Sequence, residues 1–99
     1  MNIHIENLDG TIDNENLERM FSPFGQVRSA EIIRDESTGA SMGFGYVEME
    51  DHDALAAIIQ LNQSIVYNLA IRVHEAPPET SPGFKHGTSL VNIYRFQKN

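Results

Sequence analysis

The 99-residue chain has no cysteine and no tryptophan, and only seven of its residues are lysine or arginine. Without cysteine it has no disulfide framework, no thiolate nucleophile and no thiolate metal site. No stretch approaches the roughly 20 apolar residues needed to cross a bilayer. The N-terminus lacks the basic region and apolar run of a signal peptide, so a cytoplasmic address is expected. The signatures of catalysis are missing as well. There is no G-x-x-x-x-G-K-S/T phosphate loop, no G-x-S-x-G elbow and no H-E-x-x-H pair. The acids are too dispersed to nominate a carboxylate pair. A binding module without a cofactor is the expectation, rather than an enzyme.

The shortage of bases is uneven. Fourteen acids against seven bases give a net charge of −7. Residues 1–76 hold 13 acids and 4 bases, net −9, whereas residues 77–99 hold Glu79 against Lys85, Arg95 and Lys98, net +2. Long-range attraction for a polyanion is therefore poor over most of the chain.

What the chain does have is concentrated in Met42–Met49, M-G-F-G-Y-V-E-M. Successive side chains of a strand point to opposite faces. Gly43, Gly45, Val47 and Met49 then share one face, which reads as a close seat for a helix. Met42, Phe44, Tyr46 and Glu48 share the other. Most half-buried strands hide their rings and expose small polar residues; here two large rings stand on the polar side.

This octamer resembles that of the RNA recognition motif family, K/R-G-F/Y-G/A-F-V-x-F/Y. It matches at Gly43, Phe44, Gly45, Tyr46 and Val47, and departs at Met42, where the family has a base, and at Met49. Ile3-His4-Ile5-Glu6-Asn7-Leu8 resembles the family's hexamer, with His4 in the place of the outward aromatic. Val73-His74-Glu75-Ala76 resembles the end of the fourth strand in compact single-domain bacterial members. In such domains rings on an open four-stranded sheet stack unpaired bases.

Chain order agrees with that resemblance. Ile3 and Ile5 alternate with His4 and Glu6 in a first strand, and Gly10 is expected to free the turn after it. Asp13 is placed to cap a helix over about 14–22, with Leu17, Met20, Phe21 and Phe24 facing the sheet. Pro23 and Gly25 end that helix. Val27–Arg34 reads as a second strand, 35–39 as a hairpin loop, and the octamer strand follows. Asp51 is expected to cap a helix over about 52–61 whose Ala54, Leu55, Ile58 and Leu61 form an apolar stripe. Val66-Tyr67-Asn68 reads as a turn and Leu69–Glu75 as one fourth strand, with Ile71 and Val73 inward. The order β-α-β-β-α-β implies an α+β, ferredoxin-like sandwich: two helices on one face of a four-stranded antiparallel sheet. The expected domain is 1–76, followed by a Pro/Gly/Ser-rich linker at 77–89 and a β-prone segment at 90–99.

The resemblance implies single-stranded RNA binding on the sheet face, with single-stranded DNA as the related ligand. Phe44 and Tyr46 would stack bases, His4 would assist, and Arg72 would touch phosphate. Asn7, His74 and Ala76 would reach base edges from the strand ends, and Met42 would lie where the family's base meets nucleic acid. Glu6, Glu31 and Glu48 share that face, so weak, stacking-led binding is expected. A fold alone does not choose a function, and the acidic body favours a second reading. In it, polypeptide covers the sheet face or edge, with Leu90–Phe96 pairing as an extra strand or joining two copies into a homodimer. His4 and His74 should face each other across the first and fourth strands. Two imidazoles fall short of the four ligands of a structural zinc site, so no metal is expected from them.

Overall fold

Alternation sets the sheet. The computed structural model describes residues 1–77; most of the expected linker, and the segment 90–99 with its proposed pairing, lie outside the described residues. Strands β1 (Asn2–Glu6), β2 (Val27–Arg34), β3 (Ser41–Met49) and β6 (Arg72–Glu75) form an antiparallel sheet in the order β2-β3-β1-β6. Helices α1 (Asn14–Phe21) and α2 (Asp51–Leu61) pack on the apolar face of that sheet, as expected. Ile3, Ile5, Ile32, Val47, Met49 and Val73 point inward from the strands and meet Leu17, Phe21, Ala54 and Ala57 of the helices. No polar or charged side chain is buried among the described residues. The inner layer is therefore purely apolar, and every polar specification is left to the outer face and the loops.

Asp13 caps α1 through a reciprocal box: its carboxylate accepts from the Asn16 amide at 2.8 Å, and the Asn16 side chain accepts from the Asp13 amide at 3.1 Å. The chain then tightens into a 3-10 turn, Ser22–Phe24, around Pro23. Asn14 fastens α1 to the sheet by accepting from the Ile32 amide at 2.7 Å. Asn62 does the same for α2 by accepting from Val73 at 2.9 Å.

Five local expectations are corrected. Glu50, not Asp51, is the extended residue before α2, and it makes no side-chain cap. Asp51 instead lies 3.1 Å from the N-terminal amine. The helix turns Ala57 inward and leaves Leu55 half exposed. The fourth strand is split: Leu69–Ala70 (β5) pairs with Ile65–Val66 (β4) in a separate small hairpin, and only Arg72–Glu75 joins the main sheet. Tyr67 and Asn68 both have positive φ at its tip, which suits the twist of a two-residue turn. After β1 it is Asn7, φ 64°, that takes the left-handed conformation, whereas Gly10 does not. Gly45 admits no helix; it admits a strand. A Cβ there would run into the Glu31 carbonyl oxygen and the Ile32 backbone of β2.

Candidate nucleic-acid interface

Cross-strand register gathers the outward side chains of three strands. His4 lies opposite Tyr46 on β3 and opposite His74 on β6, while Glu6 lies opposite Phe44 and Arg72. The face is thus a two-by-three grid with β1 in the middle. At Gly43, whose φ is +82°, β3 departs from plain alternation, and the register against β2 shifts nearby. On the β1 side of this strand lies a shallow depression of about 540 Å³. His4, Asn7, Met42, Phe44, Tyr46 and Arg72 all line it, together with Glu6. Six of the eight expected site residues therefore share one concavity.

The rings form a continuous aromatic surface. His4 stacks on Tyr46 with centroids 4.9 Å apart and planes 17° apart. Phe44 stands edge-on to both, at 5.4 Å from His4 and 6.1 Å from Tyr46. His4 is thus an extension of the Tyr46 surface and not a separate platform, with only 19% of its side chain exposed. Met42 is 53% exposed beside the rings.

Ala76, Arg72 and Asn7 each have a partner within the domain. Ala76 is buried and its amide donates to the Asn2 carbonyl, so its side chain cannot meet a base edge. Arg72 is not a free cation: its Nε and Nη2 both donate to Glu6 Oε1, at 2.9 and 2.6 Å. Asn7 donates from its side-chain amide to the Ala70 carbonyl at 2.9 Å. His74 meets His4 edge-on at 5.0 Å, as the facing strands imply.

Glu6 is the residue that sequence reasoning undervalued. Strand alternation placed it on this face, but only the register shows that it joins Arg72, His4 and His74. Burial opposes its charge, yet the Arg72 hydrogen bonds, with His4 and His74 nearby, outweigh that and hold its pKa below the ordinary glutamate value. The other arginines of residues 1–77 also lie near oxygen atoms of the domain. Arg19 pairs with Glu15, Arg28 with Glu48 and Arg34 with the Gly39 carbonyl. On the ring face itself, Arg72 is the arginine lining the depression, and its charge is paired with Glu6.

Desolvation lowers the His4 pKa below 6.5; Glu6 opposes the shift, and His74 and Arg72 reinforce it. Between that lowered value and 6.5 the unfolded chain binds a proton at His4 that the native chain does not. Stability therefore rises with pH through this window, is complete above 6.5, and is lost as pH falls through the folded-state pKa. Thermal unfolding in metal-free buffer should give a lower Tm at pH 5.5 than at pH 7.5, and His4→Phe should reduce the difference. An unchanged difference in that variant would remove His4 as its source.

Comparison with known proteins agrees with this geometry. The family described as the RNA recognition motif matches residues 3–72. A polyadenylate-binding protein, cytoplasmic and nuclear, of Eremothecium gossypii is 46% identical over 67 residues, covering 67% of this chain and 11% of that protein. Curated relatives of this kind are much longer; the chain spans 11–30% of their lengths. Among solved structures, RNA binding protein PG1 superposes with a TM-score of 0.75 at 39% identity, covering 77% of this chain and 93% of that one. A complex of the Sxl-lethal protein with RNA superposes with a TM-score of 0.74 at 29% identity, covering 78% and 47%.

Proposed function

Because the chain belongs to the RNA recognition motif family, we propose that it binds single-stranded RNA across the open sheet face, with Phe44 and Tyr46 as stacking platforms. The observation that supports this most is the joined surface of Tyr46, His4 and Phe44 on the side of the sheet away from both helices. Base–aromatic stacking tolerates any base and contributes about 1–3 kcal/mol per base. Single-stranded DNA offers the same ring faces and is a weaker second ligand in this reading. The role is binding without catalysis. Selection from a randomised single-stranded RNA pool by the 99-residue chain should enrich short unpaired motifs; recovery no better than from duplex RNA would contradict it.

The electrostatic share is small, since Arg72, the arginine lining the depression, is already paired with Glu6. Log affinity should therefore fall with log salt at a slope of about one phosphate's worth. Met42→Arg restores a cation on the exposed rim of the depression. It should tighten binding and steepen the slope by about one unit. An unchanged slope would mean that no phosphate passes this end of β3.

A further inference from the structure

We propose that His4, Glu6 and His74 form a binding site for a first-row divalent transition-metal ion of the Zn²⁺ type. Each residue offers one ligand atom on the same face of the sheet, and the three atoms lie within 4.8 Å of one another. Nδ1 of His4 is 3.2 Å from Glu6 Oε2, and Nε2 of His74 is 3.4 Å from the same oxygen. Ligand atoms bound tetrahedrally to zinc at its usual bond lengths are about 3.3 Å apart. Two edges of the coordination triangle are therefore already set, and the third closes by rotation of the half-exposed His74 side chain.

The surroundings orient these atoms for a cation. Nδ1 of His74 lies 3.3 Å from the Glu75 carbonyl oxygen, a partner for its proton in the tautomer whose Nε2 is free to ligate. Nε2 then faces the Glu6 carboxylate across 3.4 Å, where a cation can bridge the two. A second-ring hydrogen bond of this kind also fixes the tautomer of metal-bound histidines. Arg72 engages Oε1 with both donors and leaves Oε2 to the imidazoles. Burial of His4 favours its neutral, ligating form. The buried Nε2 of His4 has no partner of its own, and the Arg72 charge stands nearby, so the affinity is modest. Two imidazoles and a carboxylate favour zinc and its neighbours over Mg²⁺ and Ca²⁺. Three protein ligands leave a fourth position open on this face. The two-imidazole count made from sequence omitted Glu6, which supplies the third ligand.

The test needs no RNA, so it stands apart from the stacking proposal. The 99-residue chain is titrated with ZnCl₂ at pH 7.5 while the histidine ring resonances are followed by NMR. The His4 and His74 rings should shift together along one curve that fits a single site, and MgCl₂ at the same concentration should leave them in place. His74→Ala should weaken zinc binding at least about tenfold, with an amide spectrum showing an intact fold. Glu6→Gln, nearly the same in shape, should also weaken it, and His52→Ala should not. Rings that respond no more to Zn²⁺ than to Mg²⁺, or wild-type affinity in folded His74→Ala, would overturn the proposal.

Discussion

Tyr46→Ala is expected to weaken single-stranded RNA binding by about 1–3 kcal/mol, roughly 5- to 150-fold, with Phe44→Ala in the same range. Tyr46 should show the larger loss, because it also backs His4 at 4.9 Å and its removal unsettles two rings at once. Neither ring belongs to the buried core, so both variants should unfold near the wild-type temperature. The check is a binding isotherm beside a melting curve. Wild-type affinity in both variants would contradict stacking on β3. Collapse of the fold in both would instead show that the two faces of the strand had been exchanged.

Gly45→Ala should produce a large loss of stability for the addition of a single methyl. The new Cβ would meet the Glu31 carbonyl oxygen and lie 3.2 Å from both Cα and Cδ1 of Ile32. A flexible side chain could move aside, but here the obstacle is largely the backbone of β2. Ile32 pairs directly with Gly45, and Glu31 with Tyr46, so relief requires opening the β2–β3 ladder. Overpacking of this kind costs about 1–3 kcal/mol. At about 4–8 °C per kcal/mol for a domain of this size, Tm should fall by roughly 10 °C. Gly10→Ala is the control, since nothing lies within 4 Å of its added Cβ; its effect should stay within about 0.5 kcal/mol. A Gly45→Ala protein as stable as the control would show that β2 and β3 do not approach this closely.

The outer face of β3 was legible because strand alternation is a local rule, and the rings at 44 and 46 break the usual polarity of a half-buried strand. The two helices were legible from their apolar spacing, and the first also from its cap. What escaped depended on partners distant in sequence. Asp51 has the chemistry of a cap, but the N-terminal amine claims it. Leu55 and Ala57 compete for the inner face of α2, and the space above the sheet favours the smaller residue. Leu69–Glu75 reads as one strand, yet the turn at Tyr67 and Asn68 folds its first two residues back onto Ile65 and Val66. The same applies to the interface. His4, Phe44 and Tyr46 could be read from motif positions, whereas the pairing of Arg72 with Glu6 spans 66 residues and requires the β1–β6 register.

Under the proposed stacking mode, that pairing also accounts for how an acidic domain would hold RNA on this face. Arg72 neutralises the one carboxylate at the centre of the grid, so bases can settle on the rings without a bare negative charge beneath them. In that mode affinity would rest on stacking, and salt would affect it little.

The most direct measurement is an NMR titration of the 99-residue chain with a short single-stranded RNA recovered from the pool, following backbone amides and aromatic ring signals together. Stacking on the sheet predicts ring-current shifts at Phe44, Tyr46 and His4, with neighbouring amides of β1 and β3 moving in step and the outer surface of α2 around Leu55 and Ile59 unmoved. Shifts concentrated on that α2 surface, with the three rings unchanged, would contradict it.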